Sequence, residues 1–289
     1  MNQFVVRKIV EGNFRYSKLK DYLTDNDLVK GKKKLTKNFK IQTDNWDIKK
    51  NSEWVLRHYL ATKMIMSSTI MLTSLEFGKE RNLRVTEPYL IYYSLLNVAR
   101  SVMFTSPMSD WKNGELINST HTKIINIVGD AISQFNKQRG GEIKELLERA
   151  KEYRELFSYK FPANGITNFE IDLNDAIDTC SFLAEFAQYQ SEILENQNFS
   201  KEIIEDKLDR EILKRGFLYK GKKYDFLDNE DWYRLDYILR KQPFPVSLYF
   251  TLSEGMVEDF FGAWYPYENE ESEDNYNPDD DWSLIFPMP

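Results

Sequence analysis

The sequence predicts a mainly α protein, an antiparallel helical bundle with a small mixed, aromatic-rich C-terminal appendix and an acidic tail. Between residues 52 and 215 apolar side chains recur at three- and four-residue spacing, which lines one face of each helix. After Gly216 this spacing gives way to aromatic runs bounded by glycine. The expected domains are a basic N-terminal extension (1–50), the helical bundle (51–215), the mixed region (216–267) and the acidic tail with an apolar end (268–289).

Start and stop signals predict the helices of the bundle. Ser52 is a candidate N-cap for the first helix, and Pro88 suits the first turn of the second. The second helix should end before Pro107, because the residue ahead of a proline avoids the α region. We expect helices near residues 53–77, 88–105, 119–137 and 142–160, with further helical stretches at about 172–195 and 200–215.

Two segments outside these helices carry distinct patterns. FLYKGKKYDFL predicts a hairpin around its Lys-Gly-Lys turn, and WYRLDYILRK predicts one more helix. Near the start of the chain, Gly31 within KGKKKLTK predicts an exposed turn. That turn is either a solvated lysine loop or a loop that contacts phosphate.

Composition narrows the class of protein. Hydrophobic residues make up 42% of the chain and charged residues 29%, which suits a globular protein rather than a disordered one. The single cysteine, Cys180, excludes an internal disulfide and a cysteine zinc cluster. No apolar run approaches the roughly 18 residues of a membrane span. We expect a cytoplasmic protein without a membrane span, a metal or a cofactor.

Charge is distributed unevenly along the chain. The net charge is −7, yet residues 1–40 hold eleven Lys or Arg against four Asp or Glu, and residues 242–289 hold eleven Asp or Glu and no Lys or Arg. The acidic stretch also contains apolar side chains that a purely solubilising tail would not need: Trp264, Tyr265, Tyr267, Trp282, Ile285 and Phe286. It either docks through them, on its own bundle or on a partner, or is disordered from about 268 to 281. If it docks on the surface that binds nucleic acid, it would compete with nucleic acid as an autoinhibitor.

The segment YYSLLNVARSVMF at 92–104 places one arginine, Arg100, in an apolar helix, and His121 follows in the phrase NSTHTK. Metal-independent RNA cleavage needs a group that moves a proton and a cation that stabilises the phosphorane. His121 suits the first role as base or acid, and Arg100 suits the second as a bidentate phosphate clamp. Further candidate binding residues are Asn97, Tyr93, Lys123 and Arg154.

The same residues also have structural interpretations. An arginine on an apolar helix is often paired with a buried carboxylate or carbonyl, because burying it alone is costly. A histidine near a helix start is commonly a satisfied structural residue, and Tyr92 and Tyr93 suit a helical core. Convergence of Arg100 and His121 on one accessible site would favour chemistry.

Three phrases in order, YYSLLNVARSVM, THTKIINIVGDAI and LLERAKEYRELFSY, resemble the HEPN-like superfamily of small helical bundles. The resemblance is to its nucleotidyltransferase-associated and YaaC-like branches and covers about residues 52–195. It implies a component of a bacterial phage-defence or toxin–antitoxin system that binds RNA or cleaves it as a metal-independent endoribonuclease. It also implies a homodimer and a protein partner encoded by a neighbouring gene.

The chain departs from the motif of the nuclease members of that superfamily. Those members carry an arginine and a histidine separated by four to six residues. After Arg100 the corresponding positions hold Thr105, Ser106 and Pro107. The site is then either built from Arg100 and His121 on adjacent helices, or the chain is a non-catalytic helical scaffold that binds a protein partner.

Overall fold

The computed structural model describes residues 14–165, 167, 169–198, 208–221, 223–252, 254–265, 275–278 and 280–288, and these are mainly helical. The helices are α1 (Ser17–Tyr22), α2 (Asp25–Thr43), α3 (Ile48–Glu80), α4 (Glu87–Thr105), α5 (His121–Ser133), α6 (Lys137–Tyr159), α7 (Leu173–Asn198), α8 (Arg210–Lys214), α9 (Asn229–Lys241), α10 (Leu248–Thr251) and α11 (Glu254–Gly262). Short 3-10 turns span Arg84–Thr86 and Lys112–Asn118. Strands β1 (Leu218–Lys220) and β2 (Asp225–Leu227) form the predicted antiparallel hairpin. The mainly α class is confirmed, and no strand lies within 52–160, every residue of which is described.

Helix α3 forms the centre of the core and runs antiparallel to α4. Arg57 near the start of α3 contacts the carbonyl of Phe104 at the end of α4, whereas Ser68 donates a hydrogen bond to the carbonyl of Ser94, a few turns earlier on α4. Helix α7 packs against both. Asp47 accepts a hydrogen bond from the Lys50 amide and caps α3, so the predicted cap at Ser52 is wrong.

A buried arginine satisfies the end of α4. Arg57 is fully buried, and its guanidinium donates to the carbonyls of Phe104 (2.7 Å) and Ser106 (2.6 Å) and to the carboxylate of Glu53 (3.0 Å). The last carbonyls of a helix have no partner within the helix and carry partial negative charge. Arg57 therefore has a structural role in closing α4.

The lysine-rich segment near the start of the chain is helical, not a turn. Gly31 lies in the middle of α2, and a Cβ atom there would stand 2.0 Å from the Phe135 ring. The glycine is needed because α2 packs closely against the residues that follow α5. The lysines of KGKKKLTK lie on the exposed side of the helix, while Leu35 and Phe39 join the core. The predicted turn is wrong.

The boundary between the third and fourth predicted helices lies earlier in the chain than expected. The third helix was expected to run to 137 and the fourth to begin at 142, but α5 ends at Ser133 and α6 already begins at Lys137. The Asn136 side chain caps α6 by accepting from the amides of Gln138 and Arg139. Gly140 lies inside α6, where a Cβ atom would stand 2.1 Å from the Ser133 hydroxyl. Gly140 has no side chain, and this lets α6 pack closely against the end of α5.

The apolar residues near 285 pack into the core. Ile285 and Phe286 are buried, and the Phe286 ring lies 5.2 Å from the ring of Phe14. The Tyr276 hydroxyl, 2.6 Å from the Thr73 hydroxyl, ties the preceding stretch to α3. Docking of this stretch on its own chain is confirmed at these residues.

The remaining expected anchors behave differently. Trp282 is half-buried and packs against the core, whereas Trp264 and Tyr265 are exposed. Tyr267 lies outside the described residues. So do residues 200–207 of the helical stretch expected at 200–215. No helix in the described ranges has the length and apolar character required to cross a membrane.

Candidate anion-binding site

Helices α4, α5 and α6 pack against one another and bring polar side chains from all three together. Tyr92 and Tyr93 belong to the first half of α4, and His121 is the first residue of α5, held there by the N-cap Thr120, whose hydroxyl accepts from the Lys123 amide. Arg154 comes from the second half of α6. The polar cluster is defined here as Tyr92, Tyr93, Arg100, His121, Lys151 and Arg154.

The ring of His121 is fixed by Tyr92. The Tyr92 hydroxyl and the His121 Nδ1 are 2.6 Å apart, and the Tyr93 ring stands edge-on to the imidazole at 6.4 Å between centroids. Burial raises the pKa of Tyr92 to about 12, so its phenol is protonated at neutral pH. With Nδ1 engaged by Tyr92, Nε2 is the nitrogen left for a ligand.

Two arginines of the cluster have unused donors. The Arg154 guanidinium carbon lies 5.0 Å from the centroid of the Tyr92 ring and 5.9 Å from that of Tyr93. The Nε of Arg154 and the Nε of Arg100 are buried and hydrogen-bond to nothing in the described part of the chain. No described carboxylate forms an ion pair with Arg100. A buried donor without a partner is costly, so these groups indicate a site for an acceptor.

The pKa of His121 is lowered by burial and by the positive charge around it. Burial lowers that pKa first, and Arg100, Arg154 and Lys151 lower it further in that order, with an opposing contribution from Glu155. Burial also lowers the pKa of Arg100, although a guanidinium stays charged in proteins. His121 is therefore neutral at pH 7 and lies within electrostatic range of three cations. That combination attracts an anion.

Lys151 belongs to the cluster although it was not predicted. Its Nζ lies 3.4 Å from the Thr122 hydroxyl and 3.8 Å from the carboxylate of Glu155, which is itself 3.9 Å from Arg154. Lys151 precedes Arg154 by three residues, so the two share a face of α6. That spacing was the available signal in the sequence.

Other predicted binding residues are placed elsewhere. The Asn97 amide donates to the Ser67 hydroxyl (3.0 Å) and lies 3.6 Å from the Met71 sulfur, so it faces α3. Lys123 is exposed, and no described contact joins its side chain to the cluster. Tyr92 is buried, as the core interpretation expected, but its hydroxyl still contacts His121.

The second histidine has a purely structural environment. His58 is buried, and its Nδ1 lies 2.5 Å from the Val246 carbonyl, to which it must donate. Burial lowers the pKa of His58 to about 3, so it stays neutral at ordinary pH. His58 therefore holds residue 246 against α3.

A separate cavity of about 200 Å³ lies between the α1–α2 turn and the start of α6. Its polar groups bond to each other: the Asn136 amide donates to Asp27 at 3.1 Å, and the Arg139 Nε donates to the Tyr22 carbonyl at 3.2 Å. Unlike the buried arginine donors of the cluster, its Asn136 amide and Arg139 Nε already have partners. No group of three residues able to hold a metal ion occurs within the described ranges.

Comparison with protein-family models, with curated proteins and with solved structures found no match. The resemblance to the HEPN-like superfamily stays a prediction.

Proposed function

We propose that the polar cluster binds a phosphodiester of RNA and that the protein is a metal-independent endoribonuclease-type effector. The observation that supports this most is a neutral histidine beside three cations, two of which keep buried donors without partners. Guanidinium groups match the oxygens of a phosphate better than an ammonium does, because their donors form a planar fork.

The proposed reaction uses His121 as the base. This role requires the tautomer in which Nδ1–H donates to the Tyr92 oxygen and Nε2 is unprotonated. Nε2 then takes the proton of a ribose 2′-hydroxyl, and the resulting oxygen attacks the adjacent phosphorus. Arg100, Arg154 and Lys151 stabilise the negative charge that develops on the phosphorane oxygens. The bond from phosphorus to the 5′ oxygen breaks, and that oxygen takes a proton from a water molecule, which regains one from the His121 imidazolium. The products are a 2′,3′-cyclic phosphate and a 5′-hydroxyl.

Tyr92 and Tyr93 prepare this site. The phenol of Tyr92 orients the imidazole through Nδ1, which leaves Nε2 directed to the substrate. Both rings lie beneath the Arg154 guanidinium, so that cation is held without a carboxylate that would neutralise it fully. The pair with Glu155, at 3.9 Å, is long enough to yield to a phosphate.

The wider role proposed here follows the resemblance. A component of a bacterial phage-defence or toxin–antitoxin system, acting as a homodimer in the cytoplasm with a partner from a neighbouring gene, is consistent with a cluster of this chemistry. The alternative is a non-catalytic helical scaffold that binds a protein partner.

The test is analysis of RNA ends by mass spectrometry after incubation with the purified protein in a chelator. We expect 2′,3′-cyclic phosphate ends from the wild type, and a rate lower by about 100-fold or more in His121→Ala, as removal of a general base requires. Arg100→Gln should lose both binding and rate. Arg149→Gln is the matched control, because Arg149 lies on α6 and pairs with Glu145 and Glu170 outside the cluster.

Two results would separate the alternatives. If RNA binds in an Arg100-dependent manner without being cut, the protein binds RNA but is not an endoribonuclease. If the protein neither binds nor cleaves RNA, the non-catalytic scaffold is the function that remains.

A further inference from the structure

The β1–β2 hairpin presents three aromatic side chains that nothing described covers. Tyr219 is 67% exposed, Tyr224 82% and Phe226 62%. Tyr219 pairs directly with Phe226 across the two strands, so their side chains emerge on one face. Tyr224, just before β2, precedes Phe226 by two residues, and its carbonyl accepts from the Gly221 amide at 3.1 Å. The pairing thus continues to Tyr224, and the alternation of side chains puts it on the same face. The aromatic face is defined as these three residues.

The base of the hairpin is firmly anchored, which makes the aromatic face a fixed surface. Phe217, immediately before β1, is buried and packs edge-on against the ring of Tyr59 at 5.5 Å. The Asp228 amide donates to the Phe217 carbonyl at 3.1 Å, and the Asp228 carboxylate accepts from the Asp231 amide to cap α9. The hairpin is tied to α3 at one strand and to α9 at the other.

The segment that carries these aromatics is basic, in a chain of net charge −7. Residues 210–226, which include all three aromatics, contain six Lys or Arg and two Asp or Glu. Lys214, Arg215 and Lys223 are exposed. Cations interleaved with exposed rings are the combination that binds single-stranded nucleic acid: the cations contact phosphates and each ring stacks on a base.

We propose that the aromatic face binds single-stranded RNA by stacking its bases. The rings accept any base, because every base has a π face, so this surface holds the strand without selecting its sequence. The proposal adds a second contact for the ligand class of the proposed function and rests on different residues. A duplex, whose bases are already stacked and paired, should be a poor ligand.

The test is fluorescence anisotropy with the full-length protein and a fluorescein-labelled, single-stranded, twelve-nucleotide 2′-O-methyl RNA of mixed sequence. The 2′-O-methyl group removes the attacking hydroxyl, so binding is measured without cleavage. We expect Tyr219→Ala, Tyr224→Ala and Phe226→Ala each to weaken binding roughly 10-fold, the usual effect of one lost stacking contact. Tyr224→Trp should keep the affinity, and Tyr224→Leu should not.

Tyr233→Ala is the control, since Tyr233 is an exposed aromatic on α9 outside the hairpin, and its binding should equal the wild type's. The proposal is overturned if the triple alanine variant binds as the wild type does, or if the annealed duplex competes as well as the single strand. A changed oligomeric state with unchanged RNA affinity would also overturn it, and would make the face a contact between copies of the chain. Loss in Arg100→Gln alone would support the proposed function and reject the aromatic face, and loss in the hairpin variants alone would do the reverse.

Discussion

The two histidines of the chain have such different surroundings that a titration can resolve one of them. His58 is buried, with a pKa of about 3, and stays neutral above pH 5, whereas His121 is partly exposed and its pKa is lowered less drastically by burial and by nearby cations. Any imidazole titration observed between pH 5 and 8 therefore belongs to His121.

Substitutions around His121 should move its pKa in opposite directions. Arg100→Gln removes a cation that disfavours the imidazolium, so the pKa of His121 should rise. Glu155→Gln removes an anion that favours it, so the pKa should fall further. Proton–nitrogen correlation spectra of the imidazole, recorded across pH, measure both. Equal pKa values in the three proteins would show that Arg100 and Glu155 do not reach His121.

The lowered pKa of His121 also determines how the rate of cleavage should depend on pH. A base works when it is unprotonated, so the rate should rise with pH through the pKa of His121 and level off above it, at a lower pH than for an ordinary histidine. In Arg100→Gln the residual rate should level off at a higher pH than in the wild type.

At the scale of helices, two glycines offer a matched comparison. Gly31→Ala would place a methyl carbon 2.0 Å from the Phe135 ring, closer than van der Waals contact allows. We therefore expect a loss of about 1–3 kcal/mol in the free energy of unfolding, which is typical of overpacking. Gly141→Ala has nothing within 4 Å and lies inside α6, so it should gain about 0.5–1 kcal/mol from helix propensity. Urea denaturation measures both. A neutral Gly31→Ala would mean that α2 is free to move away from Phe135.

Helix position was largely predictable and helix boundaries were less so. Apolar spacing placed α3, α4 and α7, because burial of one face imposes a period on the sequence. Gly31 was expected in a turn, and the fourth helix was expected to begin at 142, just after Gly140-Gly141, yet all three glycines lie inside helices. A missing Cβ serves a turn and a close helix contact equally, and only the neighbouring helix distinguishes them.

The sequence predicted the chemical types of the site residues but not the neighbouring helix that each side chain faces. Residues one turn apart, such as Asn97 and Arg100, share a broad face of α4, yet Asn97 turns to α3 and Arg100 lies near His121. Helical spacing relates side chains to one another and does not say which neighbouring helix each will meet. Lys151 is a different case, because its three-residue spacing from the predicted Arg154 did place it on the same face of α6.

For the whole molecule, the stretch around residue 286 should contribute strongly to stability. Phe286 is fully buried against Phe14, so Phe286→Ala should lower the free energy of unfolding by about 3–5 kcal/mol. Trp264→Ala is the control, since Trp264 is largely exposed, and should change it by less than about 0.5 kcal/mol. An unchanged thermal midpoint in Phe286→Ala would mean that this stretch is not part of the cooperative core.

This packing changes how competition by the acidic tail can be examined. Deleting residues 268–289 would remove buried Ile285 and Phe286 together with the carboxylates, and would confuse lost stability with relieved competition. Neutralising the acidic residues by Gln and Asn substitution keeps the anchors and isolates the charge.

The contact between Phe14 and Phe286 also has a consequence in time. The two rings are 5.2 Å apart in the finished protein, yet 271 residues of chain lie between them. A ribosome adds about 5–20 residues per second, so residue 14 waits roughly 15–55 s for its partner. During that interval the aromatic side chains around α1 lack part of the surface that covers them, so this region can reach its final packing only after synthesis is nearly finished.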